Sequence, residues 1–268
     1  MKKLCIRHAN CTDGSMAAAV VLTRLGAKGV EFHDGVYGAP PPDVTGRDVI
    51  MVDFSYKRDV LLEMAEKANH ILILDHHQTA EADLVDLPDN VEAIFDMERS
   101  GCRIAWDHFF PEKEVPAAVQ LVEDRDLWRF DLEYSRAFHA HLNQIERRIR
   151  NYATYLDESW ADCEELAQEG LAIMNNTNTQ INELIRQSTG RREIAGYDVP
   201  VLNCPPMWFS EAGHKLSQGE PFAAMFYSNG KEVLWGLRSA PDGVDVGEVA
   251  KLFGGGGHKH AAGFKDLA

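Results

Sequence analysis

The sequence contains no long apolar run and comparatively little positive charge. No segment is long and apolar enough to span a bilayer, and the opening residues MKKLCIRHANC lack the apolar core of a secretory signal. We therefore expect a cytoplasmic protein without a membrane partner. Lys and Arg number 27 against 42 Asp and Glu, a formal net charge of −15. Such a chain repels polyanions at long range, which argues against a non-specific binder of long duplex nucleic acid.

Cysteine is scarce, and its spacing excludes two kinds of small scaffold. The five cysteines are widely separated and form no C-x-x-C pair, so the sequence indicates neither a disulfide framework nor a zinc ribbon. We expect reduced thiols that mostly serve in packing. The length of 268 residues, 45% of them hydrophobic, suffices for one large globular domain or two smaller ones.

Short β-rich runs alternate with helical stretches in the first half of the chain. This alternation is typical of an α/β fold with a mainly parallel sheet flanked by helices. The predicted strands are Lys2–Arg7, Val30–His33, Val49–Phe54, His70–Leu74 and Val91–Phe95. The predicted helices are Gly14–Leu25, Lys57–Lys67, Gly101–Phe109 and Val115–Val122.

The composition changes after residue 132. Residues 133–188 are charged, with no proline and a single glycine, which predicts extended helices. The β character returns after Gly190. We therefore expect three parts: an N-terminal domain over residues 1–132, a helical linker over 133–190, and a smaller α/β lobe with a mixed sheet over 191–268. In that lobe we predict strands and helices at Tyr197–Leu202, Phe209–Leu216, Phe222–Tyr227, Val233–Leu237 and Asp245–Phe253.

Acidic and imidazole side chains follow several of the predicted strands. Singly, each has an ordinary explanation, such as a helix N-cap, a turn residue or a solvated charge. The carboxyl ends of parallel strands share one edge of a sheet, however, so these residues are expected to converge there. Their mixture of carboxylate oxygen and imidazole nitrogen suits manganese or magnesium better than a structural zinc. The candidates are His8, Asp13, Asp53, Asp75, His76 and His77, with a further pair at Asp124 and Asp126.

The motifs occur in a characteristic order along nearly the whole chain. HxNxxDG is followed by VDFS, DHH, an acidic motif before the long charged segment, and a terminal GGGGHxxAAG. This order resembles the DHH phosphoesterase superfamily with its DHH-associated C-terminal domain. That group includes RecJ-type exonucleases, nano-RNases, cyclic dinucleotide phosphodiesterases and, more distantly, family II inorganic pyrophosphatases. The resemblance implies a DHH catalytic domain over residues 1–132 and a substrate-binding domain over 191–268.

The resemblance also implies a site for two Mn²⁺ ions, with Mg²⁺ as the alternative. Asp53 would bridge both ions, His77 would face the substrate phosphate, and Asp75 would orient an imidazole. Two such ions, about 3.5 to 4 Å apart, activate water for in-line attack at phosphorus. The other ligands implied are His8 for one ion and Asp13, His76 and Asp124 for the second.

Two positions in this site stay open at the level of sequence. Asn10 and Cys11 stand where the family motif has its first carboxylate, so Asn10 either ligates through its amide oxygen or leaves the His8 side weakly held. Asp126 is an alternative to Asp124 as the acidic ligand, although Asp124 fits the family position better.

The C-terminal motif predicts a phosphate-binding surface. The glycine run Gly254–Gly257 offers backbone N–H groups without side-chain obstruction, and a flexible loop is the alternative interpretation. Arg238 is a candidate for a charge-assisted contact with a phosphate, and an ordinary surface arginine is equally plausible. The substrate-binding candidates are Arg238, Ser239, Gly255, Gly256, Gly257 and His258.

The favoured function is a metal-dependent phosphoesterase that removes mononucleotides from short oligonucleotides held between two lobes. The same chemistry would serve a cyclic dinucleotide or a nucleotide bisphosphate as substrate. A non-catalytic nucleotide sensor on the same scaffold is the alternative of another class. The choice of RNA or DNA, the polarity of cleavage and the formation of a homodimer are left open.

Overall fold

A parallel five-stranded sheet forms the centre of the first of two units into which the chain divides, Met1–Met174 and Asn175–Ala268. The computed structural model describes residues 3–267, so Lys2, with which the first predicted strand begins, lies outside the described residues. In chain order the strands are β1 Lys3–His8, β2 Val30–Gly35, β3 Asp48–Val52, β4 His70–Asp75 and β5 Val91–Phe95. Their spatial order is β2-β1-β3-β4-β5.

Helices cover both faces of this sheet because alternate strand residues point to opposite sides. One face, with Cys5, Val52 and Leu74, packs in the larger core of the unit, while the other, with Ile6 and Ile73, packs in a second core. The helices of the unit are α1 Thr12–Leu25, α2 Arg58–Ala65, α3 Gln78–Asp83, α4 Gly101–Phe109, α5 Ala117–Asp126, α6 Ser135–Leu142 and α7 Ile149–Thr154, followed by a 3-10 turn at Tyr155–Asp157.

A helix of 29 residues, α8, runs from Trp160 to Ser188. Its N-terminal part contributes Cys163 and Ala167 to the larger core of the first unit, and Ile181 near its other end belongs to a core of the second unit. The helical character expected between residues 133 and 188 is therefore present. The functional boundaries at residues 132 and 190 stay a prediction.

The second unit contains a mixed six-stranded sheet. Its elements are β6 Gly190–Ile194, β7 Tyr197–Asn203, α9 Phe209–Leu216, β8 Ala223–Ser228, β9 Glu232–Arg238, α10 Val246–Lys251, β10 Gly256–His258 and β11 Ala261–Leu267, with a 3-10 turn at Pro206–Trp208. The spatial order of the strands is β10-β11-β9-β8-β7-β6. In this sheet β7 and β8 run parallel, and the other neighbouring pairs are antiparallel. Strands β6, β10 and β11 were not predicted, because they contain charged residues or several glycines and alanines.

Two helices cover the faces of this second sheet. Phe209 and Ala212 of α9 pack with Met225 of β8 in one core. Val246 and Val249 of α10 pack in another. The predicted fold class, an α/β protein with a parallel sheet followed by a smaller lobe with a mixed sheet, is confirmed. Within residues 3–267 no helix is both long and apolar enough to cross a bilayer.

Candidate metal centre

The candidate site lies where the strand order of the parallel sheet reverses. The chain passes from β1 to β2 on one side and then returns to β3 on the other side of β1. In open α/β sheets this arrangement leaves a crevice beyond the carboxyl ends of the strands, where ligands bind. His8 ends β1, and Asp53 directly follows β3. The fold therefore brings two side chains from distant parts of the chain to one edge.

Asp53 is the central residue of the group. Its Oδ1 lies 3.2 Å from Nε2 of His76, and its Oδ2 lies 3.5 Å from Nδ1 of His8. Its backbone adopts a left-handed conformation with φ 53°, which aspartate tolerates better than most residues. The Asp53 N–H donates to the Leu74 carbonyl at 2.9 Å, so this turn is anchored to β4.

Three side chains from separate elements converge on a second position beside Asp53. Nε2 of His76 lies 3.8 Å from Asp13 Oδ2 and 3.5 Å from Asp126 Oδ2. Asp13 and His76 are almost fully buried, at 1% and 2% exposure, whereas Asp126 is partly accessible. Asp13, His76 and Asp126 each offer one atom within 4.8 Å of the others. This spacing permits all three to ligate a single cation.

The structure places Asp126, and not Asp124, in this group. The Asp124 carboxylate accepts hydrogen bonds from the backbone N–H groups of Asp131 at 2.9 Å and Leu132 at 3.3 Å. It therefore closes the turn after α5, and its position differs from the one expected. Residues 124 and 126 are two apart on a helix and point in different directions. Resemblance to a motif does not show which of them faces the sheet edge.

The N-terminus of α4 holds the Asp13 carboxylate in place. The Cys102 N–H donates to Asp13 Oδ1 at 3.0 Å, which leaves Asp13 Oδ2 directed towards His76. Gly101 lies so close that an added Cβ would approach Asp53 Cβ to 2.6 Å and Asp13 Oδ2 to 2.8 Å. Only glycine fits this contact without displacing the two carboxylates. Gly101 was not predicted as a site residue, because the sequence does not show what packs against a glycine at the start of a helix.

Asp75 orients His77. Its Oδ1 lies 2.6 Å from Nδ1 of His77 and also accepts the His76 backbone N–H at 2.8 Å. Its Oδ2 accepts the Ser55 hydroxyl at 2.6 Å. Burial alone would raise the pKa of Asp75, but the charge and hydrogen bond of His77 lower it to about 2. Asp75 is thus an anion that fixes the ring of the second histidine in the DHH triplet.

The cluster formed by Asp13, Asp53, His76 and Asp126 favours positive charge. Burial, together with Asp53 and Asp126, raises the pKa of Asp13 to about 8. Burial opposes protonation of His76, but its hydrogen bond to Asp53 and the charges of Asp126, Asp53 and Asp13 raise its pKa to about 10. Burial would also raise the pKa of Asp53, yet the hydrogen bond of His76 and the nearby His8 ring hold it well below its ordinary value. Protons therefore partly neutralise these carboxylates, as a metal cation would.

Two carboxylate oxygens in the site show that the residues fit a metal ion. Among residues 3–267, none donates a hydrogen bond to Asp13 Oδ2 or Asp53 Oδ2, although both atoms are buried. Buried polar atoms without hydrogen bonds are rare, and a missing ion is one of their explanations. Carboxylate and imidazole groups are ligands that manganese accepts. The candidate site therefore suits a divalent cation.

The segment between β1 and α1 differs from the expectation at one residue. Asn10 is exposed and has φ 55°, and its carbonyl accepts a hydrogen bond from Arg147. Cys11, in contrast, offers its Sγ within 4.8 Å of ligand atoms of His8 and Asp53. From the sequence alone, Cys11 was predicted only to stand in the place of a carboxylate. Ligation by the Asn10 amide stays an untested alternative.

The substrate-binding candidates of the second unit share one region of its sheet. Arg238 of β9 and His258 of β10 both pair with Ala261 of β11, from opposite sides, and paired residues present their side chains on the same face. The Arg238 guanidinium donates to Ser210 Oγ at 2.9 Å. Ser239 Oγ lies 3.0 Å from His260 Nδ1. The polar candidates are therefore grouped within this unit.

The glycine run of this unit has a clear packing role. The Gly255 N–H donates to the Ala250 carbonyl at 2.9 Å, closing the end of α10. Gly257 has φ 143°, and an added Cβ would come within 2.6 Å of the Ala261 carbonyl oxygen. Gly256 lies between them in β10. The Gly255 N–H is thus already used within the protein, and phosphate binding by these glycines stays a prediction.

A curated relative matches nearly the whole chain. It is an uncharacterised protein of Acanthamoeba polyphaga mimivirus, 29% identical over 282 aligned residues, which cover 96% of this chain and 65% of the relative. The chain therefore spans somewhat less than two thirds of the length of that protein. No model of a protein family matches the sequence.

Several solved structures share the fold of this chain although their sequence identity to it is low. The DHH domain of a member of a ribosomal protein family has a TM-score of 0.63 at 11% identity, covering 99% of this chain and 83% of its own. A pGpG-specific phosphodiesterase, PggH from Vibrio cholerae, has a TM-score of 0.54 at 15% identity, with coverage of 100% and 94%. RecJ from Thermus thermophilus, in complex with Mn²⁺, has a TM-score of 0.53 at 15% identity, with coverage of 100% and 50%. The chain thus has the fold of the DHH-domain proteins, as its motifs predict.

Proposed function

We propose that the protein is a divalent-metal-dependent phosphoesterase and that manganese is its ion. The observation that carries this proposal is the convergence of buried carboxylates and imidazoles beyond the sheet, including two carboxylate oxygens without hydrogen bonds from residues 3–267. When bound, a pair of such cations polarises a phosphoryl oxygen and supplies an activated water. The RecJ structure with Mn²⁺ supports the choice of ion. The residues proposed to hold the metals are His8, Asp13, Asp53, His76 and Asp126.

His77 is proposed to act on the substrate phosphate and not on the metals. Asp75 holds its Nδ1 at 2.6 Å and raises the pKa of His77 against the opposing effect of burial. The ring is therefore oriented and biased towards its protonated form, which stabilises negative charge on a phosphate oxygen. Asp75 is the residue that maintains this state.

The proposed substrates are short oligonucleotides or small nucleotide phosphodiesters. A net charge of −15 disfavours long polyanions, and the similar PggH is specific for pGpG. In the second unit, Arg238 and His258 on one face of the sheet offer a guanidinium and an imidazole to a terminal phosphate. We therefore propose exonucleolytic release of mononucleotides, with cyclic dinucleotides and nucleotide bisphosphates as the alternative substrates.

A substrate panel tests this function. Protein stripped with a chelator and reloaded with Mn²⁺ or Mg²⁺ is incubated with di- to pentanucleotides of RNA and DNA, pGpG, a cyclic dinucleotide and a nucleoside bisphosphate, and the products are identified by mass spectrometry. We expect mononucleotide products with metal and none with chelator. The Asp53→Asn variant, prepared identically, controls for contaminating nucleases. Equal product from this variant and the wild type would refute the proposal, and tight nucleotide binding without turnover would favour the sensor.

A further inference from the structure

Cys11 occupies the position next to the metal site at which a carboxylate was expected. It directly precedes α1, with φ −105° and ψ 138°. Its Sγ, one imidazole nitrogen of His8 and one carboxylate oxygen of Asp53 all lie within 4.8 Å of one another. The three atoms come from the end of β1, the start of α1 and the end of β3. They form a second group of donors. It shares no residue with the group of Asp13, His76 and Asp126, but Asp53 also lies beside His76 of that group.

An independent observation shows that two residues of this second group have buried polar atoms without hydrogen bonds. Asp53 is 1% exposed, and its Oδ2 receives no hydrogen bond from the described part of the chain. The His8 Nδ1 that faces it at 3.5 Å is likewise buried without a hydrogen bond among residues 3–267. Two residues of this group, His8 and Asp53, therefore each have a buried polar atom without a hydrogen bond from the described residues. A cation bound by this group would satisfy both atoms.

The chemistry of the donors distinguishes the two groups. Asp13, His76 and Asp126 provide mainly carboxylate oxygen, which suits a hard cation such as manganese. A thiolate beside an imidazole and one carboxylate favours a softer ion, since sulfur ligands select zinc and cobalt over magnesium and manganese. The two groups are therefore expected to prefer different metals.

We propose that Cys11 is a metal ligand, and that with His8 and Asp53 it forms a thiophilic position selective for zinc or cobalt. This inference rests on the proposed metal-dependent function and specifies one of its two ion positions. The thiol proton passes to water as the sulfur–metal bond forms, so no oxidant or reductant is involved. The asymmetry means that zinc or cobalt binds the Cys11 position more tightly than manganese does, while manganese still fills both positions when it is the metal supplied.

Cobalt spectroscopy tests the sulfur–metal bond directly. Metal-free full-length protein is titrated with Co²⁺ and followed by its near-ultraviolet thiolate-to-cobalt absorption. We expect one thiolate band in the wild type and in Cys204→Ala, in which a buried cysteine of the second unit is replaced. The band should be absent from Cys11→Ser and Cys11→Asp. Circular dichroism of each variant verifies that the fold is intact.

Thiol alkylation provides a second measurement without a variant. Four of the five cysteines are buried, and only Cys11 is partly accessible. The rate at which iodoacetamide modifies Cys11 in the metal-free protein is measured by peptide mass spectrometry, at a mildly alkaline pH at which this modification is detectable. Stoichiometric Zn²⁺ should slow this reaction by about tenfold or more. An equal rate with and without Zn²⁺ would overturn the proposal.

Competition between metals completes the test. Cys11→Asp should lower zinc affinity by about tenfold or more and narrow the preference of zinc over manganese. A cobalt thiolate band that persists in Cys11→Ser overturns the inference. If the Co²⁺ titration of the wild type gives no thiolate band, although the protein binds two Mn²⁺ and hydrolyses its substrate, the inference is overturned and the proposed function is left intact. Failure to bind any divalent metal overturns both.

Discussion

At the scale of single residues, Asp53 combines an electrostatic and a conformational task. Its carboxylate faces His76 and His8, while its backbone adopts φ 53°. Asparagine removes the charge but tolerates this conformation, whereas alanine removes the charge and strains the turn. The site therefore depends on a residue type that serves both requirements.

Comparison of two substitutions at this position separates the tasks. We expect Asp53→Asn and Asp53→Ala to lose metal-dependent hydrolysis equally, by about 100-fold or more. Asp53→Ala should also unfold more easily in urea, by about 1 kcal/mol, because the left-handed conformation strains alanine. Urea unfolding of the two variants is measured with a chelator present. Identical unfolding free energies would contradict the conformational part of this explanation.

Asp75 should contribute to stability above acidic pH. Its pKa is lowered from the ordinary 3.8 to about 2, mainly through His77 against the effect of burial. A lowered pKa gives stability that is present above the ordinary value and lost as the pH falls through the folded value, a contribution of about 2 kcal/mol. Between about pH 5 and pH 2 the wild type should lose this much more stability than Asp75→Asn. Urea unfolding of both metal-free proteins measures the difference, and parallel pH profiles would disprove it.

At the scale of elements, the last turn of α5 gives two neighbouring aspartates different roles. Asp124 accepts the N–H groups of Asp131 and Leu132, whereas Asp126 faces His76. We expect Asp126→Asn to weaken Mn²⁺ binding by about tenfold or more with little change in stability. Asp124→Ala should instead cost about 1 to 3 kcal/mol, since two N–H groups lose their acceptor. Calorimetric metal titration and urea unfolding of both variants test this, and a reversed pattern would restore Asp124 as the ligand.

The start of α4 determines how closely the carboxylates of Asp53 and Asp13 are held. An alanine Cβ at position 101 would meet Asp53 Cβ at 2.6 Å, so Gly101→Ala should cost about 1 to 3 kcal/mol and weaken metal binding. Gly190→Ala is the matched control, because its added Cβ meets only Val201 Cγ2, at 3.7 Å, among the described residues. Thermal unfolding and metal titration compare the two variants. If Gly101→Ala and Gly190→Ala have the same Tm and the same metal affinity, α4 accommodates the added Cβ without effect on the site.

At the scale of the whole molecule, pH and metal should act on stability in opposite directions. The pKa of Asp13 rises from 3.8 to about 8 and that of His76 from 6.5 to about 10. Groups with raised pKa values stabilise the fold below their ordinary values and lose this contribution as the pH rises through the folded values. In the metal-free protein the contribution of Asp13 should therefore fall between about pH 4 and pH 8, and that of His76 between about pH 6.5 and pH 10.

A bound metal competes with these protons, so its stabilising effect should grow with pH over the same range. We expect the increase in Tm on adding Mn²⁺ under anaerobic conditions to be larger at about pH 8.5 than at about pH 6. Potassium chloride at equal ionic strength controls for general screening. A metal-induced shift in Tm that does not change with pH would contradict this linkage.

Individual elements and residues show how much of the structure could be predicted from the sequence. The predicted order of strands and helices agrees with the parallel sheet, and α4, β5 and α9 have the predicted bounds. His8, Asp13, Asp53 and His76 were identified because each follows a strand or opens a helix. Asp126 was named only as an alternative to Asp124, and the support from Gly101 and the proximity of Cys11 to Asp53 were not predicted. These three depend on distances between segments far apart in the chain.

The amino-acid sequence alone determined the type of each long element, the chemical kind of the candidate ligands and the edge of the sheet at which they gather. Hydrophobic periodicity and local motifs act over a few residues, so they can be recognised without a structure. Tertiary structure alone decided which carboxylate of α5 faces His76, where glycine is needed against two buried acids, and that a thiol adjoins His8 and Asp53. Those facts depend on the packing of separate elements, because a rotation of one helix face changes which side chain reaches the site.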